Sequence, residues 1–84
     1  MKRCMITFRS VTPAQRGEGL LRQAGIASTL RRTPRPMEQQ GCGYSLHLSC
    51  EEVVRAVGLL RANNVTFRKV YLKGEGAALE EMVL

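Results

Sequence analysis

Leu20-Leu21-Arg22-Gln23-Ala24-Gly25-Ile26 reappears, at an offset of 39 residues, as Leu59-Leu60-Arg61-Ala62-Asn63-Asn64-Val65. The same offset carries the strand-like run Cys4–Phe8 onto Gly43–His47, and Ile26–Arg32 onto Val65–Tyr71. The chain therefore reads as strand–helix–strand written twice. Cys4, Ile6 and Phe8 alternate with Met5 and Thr7; Tyr44, Leu46 and Leu48 alternate with Ser45 and His47. Alternation with a period of two marks strands that bury one face.

The helix boundaries agree with this reading. Thr12-Pro13-Ala14-Gln15 offers an N-cap, a proline at the first helical position and a capping-box glutamine. Ser49-Cys50-Glu51-Glu52 is a second capping box, with Leu48 and Val53 as its hydrophobic staple. Gly25, and Asn63 or Asn64, suit the left-handed residue that closes each helix. Helices are expected over Pro13–Ala24 and Cys50–Ala62. Their apolar stripes are Ala14, Leu21 and Ala24 on the first, and Val53, Val57 and Leu60 on the second. Gly17 and Gly19 each cost about 1 kcal/mol relative to alanine. The first helix is thus either weak or pressed close to a neighbour.

Two such units favour an α+β, ferredoxin-like βαββαβ sandwich, with a four-stranded antiparallel sheet carrying both helices on one face. The other face stays open, with Thr7, Thr29, Ser45 and His47 upon it. Residues 1–73 form the single domain and 74–84 a C-terminal tail. Gly74 and Gly76 break the last strand. Ala77–Leu84 is expected to be a frayed end or a short helix, with Leu79, Met82 and Val83 along one side for a partner or second subunit.

Eighty-four residues make one domain. A chain of this length buries only roughly 60–65% of the surface its unfolded form exposes, so self-association is a plausible source of extra stability. No apolar run reaches the ~20 residues of a membrane span. The apolar stretch near the start is broken by Arg9 and is too short for a signal peptide, which makes the expected location cytoplasmic. Three cysteines without repeating spacing argue against a disulfide scaffold and for a reducing compartment. Aspartate is absent and His47 is the single histidine, so no metal site is expected. A serine triad with its usual acidic orienter and a Walker-type loop are both missing, and no cofactor is implied. Residues 1–36 carry eight basic side chains against Glu18 alone, while residues 37–84 carry five basic and six acidic. The basic half is either a solvated arginine-rich surface or an attractor of nucleic acid, acidic proteins or small anions.

The candidate chemistry lies between the second and third strands, in Thr33-Pro34-Arg35-Pro36-Met37-Glu38-Gln39-Gln40-Gly41-Cys42-Gly43. An ordinary hairpin link has about two to five residues, and longer loops in small domains tend to carry function. Gly41 and Gly43 leave the Cys42 sulfur without neighbouring side chains to shield it. The loop shares a sheet edge with the start of the first helix, whose free N–H groups, with Arg9 and Arg35, favour a thiolate. The alternative is an inert cysteine at a strand start. Cys50, at the first helical position, is a weaker candidate, and Cys4 belongs to the core.

The run Ala14–Ile26, followed by Thr33-Pro34-Arg35 and Gly41-Cys42-Gly43-Tyr44-Ser45-Leu46, resembles the selenium/sulfur carrier-like family of small bacterial domains. The resemblance spans residues 5–72. It implies that Cys42 carries sulfur or selenium, with Pro34, Arg35, Gly41 and Gly43 supporting it in the same loop. Family members often place serines where this chain has Glu38-Gln39-Gln40-Gly41, and alanine where it has Gly17. On this reading the thiol accepts a chalcogen as a persulfide or selenopersulfide from a donor enzyme and passes it to an acceptor protein, as a stoichiometric carrier. The alternative is a small basic nucleic-acid-binding module. That reading lacks stacking aromatics, because Phe8 and Tyr44 both lie on the stripe facing the helices.

Overall fold

Arg3–Phe8 (β1) is the strand on which the others assemble. The computed structural model describes residues 2–32, 43–73 and 79–82. After β1 come α1 (Val11–Gln23), β2 (Thr29–Arg32), β3 (Tyr44–Ser49), α2 (Cys50–Ala62), β4 (Val70–Lys73) and β5 (Leu79–Met82). The strands form one antiparallel sheet in the order β2-β3-β1-β4-β5. β1 pairs with β3 from Arg3↔Ser49 to Phe8↔Tyr44, and with β4 from Arg3↔Lys73 to Ile6↔Val70. Both helices lie against β1 and β3 and against each other, on one face. Among the described residues no helix is long and apolar enough to cross a membrane.

The expected α+β class holds, with a correction: the sheet has five strands, not four. Leu79–Met82 pairs with β4 where a frayed end or short helix was expected. So short a segment cannot nucleate a stable helix, whereas the edge of β4 offers it a ready ladder of main-chain partners. Met82 packs at the edge of the core, and Glu81 meets Lys69 at 3.2 Å.

The repeat is visible in how the helices end. Ile26 N–H donates to Leu21 O at 2.8 Å and Gly25 N–H to Arg22 O at 3.0 Å. Val65 N–H donates to Leu60 O at 2.9 Å and Asn64 N–H to Arg61 O at 3.2 Å. Gly25 and Asn64 are the left-handed residues, with φ of 79° and 57°. These are two Schellman closures. They also explain why β2 and β4 begin later than the apolar pattern suggests: Ile26 and Val65 close their helices and fill the core instead. At the other end α1 departs from expectation. Its N-cap is Ser10, so Thr12 is helical and Pro13 occupies the third position, where the missing N–H still costs no helix bond. Helix α2 spans Cys50–Ala62 as expected, and Ser49 Oγ accepts from Glu51 N–H at 3.3 Å.

Cys4, Ile6, Phe8, Leu46 and Leu48 from the sheet meet Ala14 and Leu21 of α1 and Val53, Ala56, Val57 and Leu60 of α2. Gly17 lies in their midst: a Cβ there would stand 3.0 Å from Leu60 Cδ2, 3.3 Å from Leu46 Cδ1 and 3.4 Å from Phe8 Cζ. Arg55 of α2 donates to Ala24 O at 3.0 Å, tying it to the end of α1.

A second correction is covalent. Cys4 and Cys50 are disulfide-bonded, with Cα atoms 4.9 Å apart. Cys4 is in the core as expected, but three unevenly spaced cysteines gave no sign of the pair. The β1–β3 ladder makes it, because Arg3 pairs with Ser49 and Cys50 N–H donates to Lys2 O at 3.1 Å.

The glycines provide a test. A Cβ at Gly19 or Gly58 would meet nothing within 4 Å, so Gly19→Ala and Gly58→Ala should each stabilise the protein by about 1 kcal/mol. Gly17→Ala should gain distinctly less, because Leu60 must give way. Urea denaturation midpoints of the three variants check this order.

Candidate functional site at the β1–α1 end of the sheet

Cys42, the residue on which the sequence reading centres, lies outside the described residues, as do Pro34, Arg35 and Gly41. Gly43 is described and buried. The structure does establish the ends from which the intervening segment leaves and returns. β2 finishes at Arg32 and β3 begins at Tyr44, and these two are register partners. Tyr44 also pairs with Phe8, the last residue of β1. The chain thus re-enters the sheet beside the residues that lead into α1.

That end of the sheet is electropositive for reasons of local chemistry. Ser10, in extended backbone, makes no side-chain cap hydrogen bond, and the first turn of α1 holds no acidic residue. The corresponding turn of α2 has a capping serine and both Glu51 and Glu52. Among the described residues no first-turn carboxylate opposes the partial positive charge of the α1 N-terminus, whereas Glu51 and Glu52 oppose that of α2.

Arg9, Ser10 and Pro13 form one wall of a cleft of about 400 Å³, and Thr66, Phe67 and Arg68 form the other. Thr7 holds the walls together. Its N–H donates to Lys69 O at 2.8 Å, its carbonyl accepts from Arg68 N–H at 2.7 Å, and its hydroxyl accepts from Lys69 N–H at 3.1 Å. The Arg61 guanidinium sits over the Phe67 ring at 5.6 Å, a cation–π distance. Sequence reasoning singled out Arg9 but missed Phe67, Arg68 and Thr7. No periodic pattern marks Phe67 and Arg68, and Thr7 read as a plain open-face residue.

The face away from the helices is less open than expected. Ser45 is 0%, Met5 2% and Thr7 5% exposed. They lie on β1 and β3, two of the three inner strands, each flanked on both sides. Ser45 Oγ lies 3.0 Å from His47 Nε2 and 3.5 Å from Arg31 O. Arg3, Thr29, Arg31 and His47 line a shallow depression of about 110 Å³ beside it. Phe8 is fully buried and Tyr44 packs against the core, so neither offers a stacking platform for bases. Among the described residues no three His, Cys, Asp or Glu side chains converge as metal ligands.

Over residues 3–72 the chain matches the model of the family described as "Putative Se/S carrier protein-like". No curated protein and no solved structure matches it.

The clamp at Thr7 is open to measurement. Thr7→Val keeps the shape and the main-chain bonds but leaves Lys69 N–H without its hydroxyl partner. It should lower stability by about 1 kcal/mol, read as a shift in the urea midpoint at unchanged slope.

Proposed function

The chain belongs to the Se/S carrier-like family, and from that membership we propose that it carries sulfur or selenium on Cys42 in partnership with a donor enzyme and an acceptor protein. The observation that carries this reading is the uncapped, acid-free start of α1 beside the point where the chain returns to the sheet at Tyr44, two residues after Cys42. A helix N-terminus flanked by arginines lowers a thiol's pKa, and the thiolate is the nucleophile that accepts a chalcogen.

In the loading step the Cys42 thiolate attacks the terminal sulfur of a donor persulfide. A new S–S bond forms as the donor's S–S bond breaks, leaving the donor as a thiolate. In delivery an acceptor nucleophile attacks the outer chalcogen and Cys42 departs as a thiolate. Pro34 stiffens the segment, Gly41 and Gly43 keep the sulfur accessible, and Arg35 adds positive charge. The order β2-β3-β1-β4 with α1 and α2 as crossovers supports a ferredoxin-like unit to which β5 is appended. A carrier thiol must remain reduced, which fits a cytoplasmic location; the bonded Cys4–Cys50 pair is unusual for that compartment, where such bonds are as a rule transient or redox-active.

The test is alkylation across a pH series followed by peptide mapping. Cys42 should react at neutral pH faster than an unfolded cysteine of pKa about 8.5, and Arg35→Ala should slow it. With a persulfide donor the added mass should appear on Cys42 and vanish in Cys42→Ser with the fold intact. Alkylation no faster than in the unfolded chain, or loading elsewhere, overturns the proposal.

A further inference from the structure

Cys4 and Cys50 answer to a different geometry from that of Cys42. Their sulfurs are bonded across the junction between β1 and α2, yet main-chain contacts hold that junction as well. Cys50 N–H donates to Lys2 O at 3.1 Å, and Arg3 pairs with Ser49 and Cys4 with Leu48 in the β1–β3 ladder. Two free thiols here would remain side by side, because 4.9 Å between Cα atoms lies within the range from which a disulfide closes without backbone movement.

The two sulfurs are unequal. Cys4 is fully buried, with Sγ 3.6 Å from Met82 Sδ. Cys50 is half-buried at the first position of α2. A helix N-terminus favours a thiolate there, opposed by Glu51 and Glu52 of the same turn, whereas the apolar surroundings of Cys4 favour the thiol. Such a pair has one sulfur that reagents reach and one that they do not.

The geometry points to Cys4–Cys50 as a thiol–disulfide exchange site for low-molecular-weight thiols and their disulfides, in which Cys50 takes the mixed disulfide and Cys4 resolves it. In the opening direction a thiolate RS⁻ attacks Cys50 Sγ. The RS–Cys50 bond forms, the Cys4–Cys50 bond breaks, and Cys4 leaves as a thiolate that takes up a proton. A second RS⁻ then attacks the R-bearing sulfur, releasing RSSR and the Cys50 thiolate. In the closing direction the Cys50 thiolate attacks RSSR and expels RS⁻, after which deprotonated Cys4 attacks Cys50 Sγ and expels the second RS⁻. Each cycle moves two electrons between the pair and the thiol pool, with no other oxidant or reductant. Burial closes direct attack on Cys4 and makes it a poor leaving group, so opening is slower than for an exposed disulfide.

The test uses full-length Cys42→Ser, whose remaining cysteines are Cys4 and Cys50. It is equilibrated with mixtures of reduced and oxidised glutathione, quenched with acid, alkylated and peptide-mapped, with circular dichroism on the same samples. The bonded fraction should follow the glutathione ratio reversibly while the folded spectrum is unchanged. In the same background Cys4→Ser should accumulate glutathione on Cys50, and Cys50→Ser should gain no adduct on Cys4. A bond that opens only in denaturant, a reduced chain that loses its folded spectrum, or glutathione carried on Cys4 overturns the proposal.

Discussion

The distance at which α1 rests on the sheet is the constraint on which the rest depends. At Gly17 the helix backbone comes so close to Phe8, Leu46 and Leu60 that an added Cβ would stand 3.0 Å from the nearest methyl. This approach lets Ala14 and Leu21 bury fully and brings Leu60 of α2 against both the sheet and α1. A small domain has few layers of side chain to spare, so a gap here would leave core atoms without partners. The helical cost of the glycine is offset by packing that no larger residue permits without movement.

From that contact outward, β1 organises the molecule. It is the central strand of the five, it lies against both helices, and its end leads into α1. Thr7, near that end, holds the segment leading into β4 through both its backbone and its hydroxyl. The cleft between Arg9 and Arg68 follows from this clamp, because the two walls come from parts of the chain that local sequence does not connect. The two halves of the repeat thus share a shape but differ in charge at their helix starts. Ser49 caps α2 and two glutamates sit beside it, whereas α1 begins with neither device. The excess of basic residues in the first half adds to this imbalance.

Much of this was legible in the sequence because the signals are local. The alternation in β1 and β3, the Ser49 capping box and the left-handed Gly25 and Asn64 all depend on residues within a turn or two of one another, and the repeat writes the same local pattern twice. The Thr12 cap misled because the helix begins two residues earlier, with Ser10 in extended backbone at the N-cap position and no side-chain cap bond. The strand limits at Ile26 and Val65 misled because an apolar residue can extend a strand or close a helix, and only packing chooses between them.

The sequence by itself determined the class of fold, the two helices, the unit of repetition and the family. Tertiary structure alone decided three things: that Cys4 meets Cys50, that Leu79–Met82 adds a fifth strand, and that Thr7 faces Lys69. Two of these join positions far apart along the chain, 46 residues for the cysteines and 62 for Thr7 and Lys69, and the third needs β4 already in place as a pairing edge. Sequence pattern reports what a residue prefers from its immediate neighbours. Which distant residue it finally touches depends on strand order and register, and those are set by how the whole chain buries its apolar faces at once.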